Sequence, residues 1–352
     1  MDSLTSVELV VGCNEASDLL SVRSADVLAA YGWRRAFWTV LDEGPIEDCL
    51  ALLGTRDDGS GEGHWEGHLL AADPGPEAGR TEDGEALAYR DGYVYVLGSH
   101  FGSKRGPLRP RRAFVARFEE AAAARIHRVP LRVARNRFAL HRAINDALAT
   151  ADISPLEPGS EVHKRFVVET RDRGTAKGRT WVSRIVDGDL PVNIEGAVFG
   201  PDGTLLLGLR YPVTAGGEPI VVELADVDAL FGPGLPEVNR VWVLGLSAVR
   251  LPEKTLAGIR AMSATPSGQV DAVIGSIDAL GKDSALLSDH PEGGDVVCRQ
   301  VRFRLPAAGG RVEVELVRDL APFHNVEGLA EVDGDTYYVT DEDHRVALWH
   351  TR

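Results

Sequence analysis

Short runs of alternating apolar and polar residues, bounded by Gly, Pro or Asp-Gly, recur along the whole chain, and a period of two predicts strands rather than helices. Three stretches align without gaps. Asp83 to His100 contains Glu85, an Asp91-Gly92 turn and the run Tyr93–Gly98. Asn193 to Arg210 contains Glu195, Asp202-Gly203 and Leu205–Leu209, and Asn325 to Glu342 contains Glu327, Asp333-Gly334 and Thr336–Thr340. In each, a Glu two residues after Asp or Asn begins a strand. An x-Asp-Gly turn follows, and a second strand ends at a polar residue 15 positions beyond the Glu, at His100, Arg210 and Glu342. Asp-Gly between two strand-like runs is a strong hairpin signal, because the turn needs the positive φ that Gly adopts freely.

Two weaker copies share the layout. Asp26–Tyr31 leads to Phe37–Leu41 with Asp42 and Glu43 after it, and Ile259–Ala264 leads through Pro266 and Gly268 to Val270–Gly275. Further strand candidates follow the copies, among them Pro219–Leu224 with Arg240–Leu246 and Val296–Arg304 with Arg311–Val317. Four strands per unit, recurring every 60 to 70 residues or so, predict an all-β fold of the β-propeller type. Starts near residues 26, 84, 194, 259 and 326 give five blades, and the long interval from 84 to 194 leaves room for a sixth. Within that interval a helical period over 136–151, set by Phe138, Ile144, Leu148 and Ala151, and a Pro/Gly linker at Leu156–Ser160 predict a helical insertion on one rim, spanning 134–160. The chain is otherwise one domain, 1–352, with Thr5–Val11 closing the ring beside Arg345–His350 and hiding the open sheet edges.

Composition narrows the possible partners. The 352 residues are 44% hydrophobic, enough for a sizeable core, and 38 Lys+Arg against 53 Asp+Glu give a charge of −15. Such a chain repels phosphate backbones and anionic membranes unless basic residues concentrate locally, so neither nucleic acid nor membrane is expected as a partner. No apolar run reaches the roughly 20 residues that span a bilayer, and the first residues lack a secretory pattern, which places the chain in the cytoplasm as an expectation. Cys13, Cys49 and Cys298 are too few and too far apart to predict a disulfide framework or a thiolate zinc site.

The repeats carry the candidate chemistry. In a propeller the innermost strands line a central channel, so Glu85, Glu195 and Glu327 are expected to meet. Crowded carboxylates repel unless a cation or a proton neutralises them, and a divalent ion answers that need. Oxygen donors of this kind, assisted by Asn193 and Asn325, suit Ca2+ or Mg2+. The alternative is that each Glu latches backbone amides of the neighbouring blade. The ends of the second strands place His100, Arg210-Tyr211, Asp341-Glu342 and Asp42-Glu43 near one mouth. After His100 comes a glycine-flanked basic loop with Lys104 and Arg105, then Arg109, Arg111 and Arg112, a set suited to phosphate or carboxylate unless it is simply a solvated charge run. His64 and His68 lie four apart, yet the surrounding Gly residues oppose the helix that a zinc pair would need. His324 and His344 flank the third repeat and are minor candidates for the mouth. Serine-triad, phosphate-loop and dinucleotide fingerprints are absent from the sequence.

At the repeated Asn/Asp-x-Glu-Gly/Ala starts, and at Leu97–His100 with the Ser103-Lys104-Arg105 loop, the chain resembles a bacterial β-propeller family of unknown function. More distantly it is similar to the esterase-like phytase and gluconolactonase/regucalcin propellers. That resemblance, from about Asp26 to Trp349, implies calcium or another divalent cation in the channel, with Glu85, Glu195 and Glu327 as ligands and Asn193 and Asn325 as helpers. Two copies depart from it: Arg260 occupies the Glu position in one, and Leu28 lies near it in the other.

The expected function is therefore a metal-dependent hydrolase of a small anionic ester or lactone. The ion polarises the scissile group and activates water, His100 or Glu342 moves the proton, and Lys104, Arg105, Arg210 and Arg260, with Tyr211, hold the substrate. The rivals are a non-catalytic propeller that recognises a protein or peptide at its rim, and a biosynthetic enzyme that promotes a rearrangement or cyclisation.

Overall fold

A computed structural model describes residues 5–12, 15–41, 44–56, 64–232, 236–279, 283–342 and 345–351. Cys13, Asp42, Glu43 and His344 lie outside the described residues. The strands form five sheets. The first sheet orders Ala16–Ser21, Arg35–Leu41, Leu50–Arg56 and His64–Asp73; the second, Gly84–Arg90, Tyr93–Gly98, Val115–Glu119 and Arg132–Ala134. The third orders Asn193–Phe199, Leu205–Tyr211, Ile220–Leu224 and Val238–Gly245; the fourth, Ala257–Ala264, Val270–Ser276, Arg299–Phe303 and Glu315–Asp319. The fifth runs Val326–Val332, Asp335–Glu342, Arg345–Thr351 and then Thr5–Leu9 from the other end of the chain. Neighbours within these sets are antiparallel. Arg128–Pro130 and Gly310–Glu313 add parallel edge strands to the first and third sheets.

The opening strands of the five sheets touch in cyclic order: Ala16–Ser21 meets Gly84–Arg90, which meets Asn193–Phe199, then Ala257–Ala264, then Val326–Val332, which returns to Ala16–Ser21. Apolar residues fill the space between sheets. Phe37, Trp38 and Leu52 of the first pack with Leu87 and Phe118 of the second and Tyr337 and Leu348 of the fifth in one cluster. The Asp-Gly turns have the expected geometry. Asp91 and Gly92 take φ of 52° and 85°, Asp333 and Gly334 take 55° and 87°, and each pair is the whole loop of its hairpin. In the copy at Asn193–Arg210 Gly203 alone is left-handed, at 80°.

Three expectations about elements change. Asp26–Tyr31 is not a strand but part of the helix Ala25–Tyr31, which Ser24 caps by accepting from the Val27 amide and Gly32 ends at φ 68°. The opening strand of the first sheet is instead Ala16–Ser21. The region expected as one strand, Arg311–Val317, is two: Gly310–Glu313 joins the third sheet and Glu315–Asp319 the fourth. The expected helix is present as Ala139–Thr150, entered through left-handed Arg137 and Phe138, with Leu140, Ile144 and Leu148 buried against the third sheet. The insertion continues beyond it, through Ser160–Val162 and π-type turns at His163–Val168 into the helix Glu169–Ala176. Cys49 and Cys298 are buried thiols. No helix among the described residues is long and apolar enough to cross a membrane.

Candidate functional site

Each opening strand loses register with its partner at one equivalent place. The shifts fall between Ser17 and Leu20, Gly84 and Ala86, Ile194 and Gly196, Ile259 and Ala261, and Val326 and Gly328. The residues thrown out of the ladder are Asp18 with Leu19, then Glu85, Glu195, Arg260 and Glu327. A bulge re-aims a side chain, and here all five carry a charged residue toward the ring of opening strands. The residue after two of the bulges is glycine, for a steric cause: a Cβ on Gly328 would stand 2.4 Å from Val339 Cγ2 and 2.7 Å from the Asp18 carbonyl carbon.

A cavity of about 530 Å3 opens at this centre. Its lining includes Glu85, Glu195, Glu327, Asn193, Arg210, Lys104 and Arg105, so the structure brings together seven of the residues singled out in the sequence. Asp83, Ser99, Arg112, Asp278 and Asp341 complete the polar wall.

The floor alternates guanidinium and carboxyl groups. Arg210 Nη1 donates to Glu195 Oε1 at 2.5 Å and lies 4.0 Å from Glu327 Oε1, while its Nε donates to the Ser276 carbonyl at 3.0 Å. Arg260 Nη2 donates to Glu327 Oε1 and its Nε to the Val326 carbonyl at 3.0 Å. Asn193 Nδ2 donates to Glu195 Oε1 at 3.2 Å. Burial opposes the charge on Arg210 most strongly, but Glu195, Asp278 and Glu327 outweigh it and push its pKa above the ordinary arginine value. Glu327 keeps only 12% of its side-chain surface open. Burial, then Asp341 and Glu195, push its carboxyl up to about 8 against the opposing pull of Arg260 and Arg210. Three buried atoms on this floor have no hydrogen-bond partner among the described residues: Asn193 Oδ1, Glu195 Oε2 and Arg210 Nη2.

In the wall, Arg112 Nη1 stands 2.8 Å from Asp83 Oδ1, Ser99 Oγ donates to Asp83 Oδ2, and the Phe101 amide donates to Ser99 Oγ at 3.2 Å. Asp83 is the residue two before Glu85, so the repeat itself carries the signal for it. Nothing in the linear sequence links Asp83 to Arg112. At the rim Lys104 and Arg105 are exposed, and Arg105 pairs with Asp283.

Five expected site residues stand elsewhere. His100 is fully buried with left-handed backbone, φ 61°; its Nδ1 meets the Gly98 carbonyl at 2.8 Å and its Nε2 the Asn136 amide at 3.0 Å, and burial lowers its pKa to about 4. Neither nitrogen reaches the cavity. Glu342 pairs with Arg345 at the far end of its strand. Tyr211 is buried in an apolar cluster with Phe101 and Leu256, its hydroxyl without a partner. Asn325 spends its side-chain amide on the Asp341 carbonyl. Arg260 lies beneath the cavity surface and acts on it only through Glu327. For His100 the cause is strand length: the second strand of the second sheet ends at Gly98, whereas its counterpart in the third runs on to pair Tyr211 with Asn193 and so carries Arg210 inward.

Among the described residues no three His, Cys, Asp or Glu side chains come together as a ligand set for a metal ion. Glu195 Oε1 and Glu327 Oε1 already face guanidinium groups, so these oxygens do not fit a divalent cation. His64 and His68 project from an outer strand of the first sheet, and His324 lies 3.1 Å from Asp295.

No protein-family model matches the sequence, and no curated protein matches it. Solved structures are similar to it at low identity. MPT-4, a mannose phosphorylase from Leishmania mexicana solved with phosphate ion, is 12% identical over 100% of this chain and 88% of its own, with a TM-score of 0.42. A provisionally named gluconolactonase is 12% identical over 99% of this chain and 93% of its own, TM-score 0.37. The WD40 β-propeller domain of Doa1 is 9% identical over 98% and 95%, TM-score 0.35.

Proposed function

We propose that the five sheets are the blades of a five-bladed β-propeller and that its central cavity hydrolyses a small anionic ester or lactone without a metal ion. The observation that carries this reading is a cavity of about 530 Å3 lined by Glu195, Glu327 and Arg210 under a basic rim, with three buried floor atoms, one donor and two acceptors, that find no partner among the described residues. Buried polar atoms left unpaired cost about 1–3 kcal/mol each, so the floor is disposed to receive a ligand that matches them. Arg210 Nη2 donates to the scissile carbonyl oxygen and stabilises the negative charge that develops there. Glu195 Oε2 takes a proton from the attacking water. Glu327, whose proton affinity burial places close to neutrality, returns a proton to the departing alkoxide. Lys104 at the rim pairs with the substrate's own negative group. Arg210 and Arg260 supply the positive charge for which the sequence pattern alone invoked Ca2+ or Mg2+.

The test is turnover of a panel of hydroxy-acid lactones and anionic aryl esters in the presence of EDTA. Glu195→Gln is expected to lower kcat by about 10²–10⁴-fold with KM within a few-fold. Loss of all turnover by EDTA, restored by Ca2+ or Mg2+, would reject the metal-free mechanism. Calorimetric binding of the same compounds without turnover would make the cavity a binding site alone.

A further inference from the structure

A second cavity, of about 610 Å3, lies between the loop at Gly106–Arg111, the chain entering the insertion at Arg135–Arg137, and the end of the helix Glu169–Ala176. Seven cations line it: Arg109, Arg111, Arg135, Arg137, Arg173, Lys177 and Arg179, and the first of them also lines the central cavity. Glu82 is the acid of the lining, and it is committed to Arg109 at 2.9 Å. Arg135 pairs with Glu77 and Arg173 with Glu169, but Arg111, Arg137, Lys177 and Arg179 have no acidic partner among the described residues. These four are exposed and come from three separate stretches of chain. In a protein of charge −15, where most arginines face carboxylates, such a gathering on one concave wall is a local reversal of sign. Concave low-dielectric walls concentrate that positive potential and draw in anions.

The walls are fixed rather than loose. The Leu108 amide donates to Thr170 Oγ1 at 3.0 Å, and Thr170 Oγ1 donates to the Phe166 carbonyl at 2.5 Å, which ties the loop to the insertion. Gly106, at φ 71°, lets the loop approach, since a Cβ there would stand 2.6 Å from the Arg165 carbonyl oxygen. Trp181 is held edge-on to Phe138, ring centres 5.0 Å apart, and gives the cleft an aromatic surface.

We propose that this cleft binds a small molecule carrying a chain of phosphates, at a site that adjoins the central cavity at Arg109 but is built on other cations. Guanidinium groups grip phosphate oxygens bidentately, and cations spread across a cleft suit several phosphates in a row better than one. The volume falls within the range of small-molecule pockets, roughly 300–1,000 Å3.

The experiment is calorimetric titration of the full chain with sodium tripolyphosphate and with ATP, free of magnesium, at low and at moderate salt. Binding to the wild type is expected to weaken as salt rises, and Arg137→Ala with Arg179→Ala is expected to weaken it at least 10-fold with an unchanged melting temperature. Glu195→Gln should leave it unchanged, which separates this site from the proposed hydrolytic centre. ATP binding more tightly than tripolyphosphate, with Trp181→Leu removing the difference, identifies a nucleotide ligand; equal binding identifies the phosphate chain alone. The proposal is overturned if the wild type binds neither probe, if the double variant binds as the wild type does, if Glu195→Gln abolishes binding, or if a poly-glutamate peptide or a short RNA binds more tightly than both.

Discussion

Burial pushes the Glu327 carboxyl up to about 8, and does the same to Asp18, the bulged residue of the first sheet, against the amide donors Leu87 and Leu19. Both values exceed that of an unfolded carboxyl, near 4. The native state therefore binds more protons than the unfolded chain between about pH 4 and 8. The stability these two groups contribute is fully present below the unfolded value and is lost as pH rises through about 8. His100 acts at the other end: its folded value near 4 lies below the ordinary 6.5, so its contribution is lost as pH falls through that window. The urea midpoint is expected to fall between pH 6.5 and 9 in the wild type. Glu327→Gln, neutral at both ends, should flatten that fall. An unchanged slope in the variant would show that Glu327 is ionised throughout, held so by Arg260 and Arg210.

At the scale of elements, the bulge and the small residue after it act together. Gly328 is boxed by backbone, the Asp18 carbonyl carbon standing 2.7 Å from where its Cβ would be. Gly328→Ala is thus expected to destabilise by about 1–3 kcal/mol through overpacking. The second and fourth sheets already carry Ala86 and Ala261 at the same step, both fully buried, so Ala86→Gly removes only a methyl and should cost about 1 kcal/mol. Urea midpoints of the two variants check the contrast. The same elements show what could be read in advance. The three Glu-bearing hairpins were legible because period-two alternation and an Asp-Gly turn are local signals that tertiary packing did not override. The first copy was misread, since Asp18 replaces Glu behind a two-residue bulge while Val27, Leu28, Ala29 and Ala30 of the nearby helix look like a strand. The convergence of Glu85, Glu195 and Glu327 followed from the repeat, but the pairing of Glu195 with Arg210 did not. That pairing depends on how far the second strand runs, and Tyr211 fixes it by pairing with Asn193. The cleft of arginines was illegible for a related reason: Arg111 and Arg179 lie far apart in sequence and become neighbours only once the insertion folds back.

The whole molecule depends on one seam. Thr5–Leu9 pairs residue for residue with His350–Val346, so the last sheet is completed by the first strand of the chain. On that seam Glu8 Oε1 and Arg345 Nη1 are 2.7 Å apart, but both side chains are largely exposed, at 62% and 44%. An exposed pair contributes at most about 1 kcal/mol, so Arg345→Ala should shift the melting temperature little. Removing residues 1–10 acts differently. It exposes the ladder edge of Arg345–Thr351 and uncovers Val346 and Leu348, which belong to the core cluster shared with the first sheet. An open, apolar edge of this kind is a template for pairing with a second chain. The truncated protein is expected to melt several degrees lower and to elute as dimers or larger species, whereas a truncation ending before Thr5 keeps the paired strand and should remain as the full chain does. Light scattering after size exclusion, with melting curves of both truncations, decides the matter. Equal melting temperatures and equal masses would mean that the ring is held by the contacts of its opening strands and that the seam contributes little.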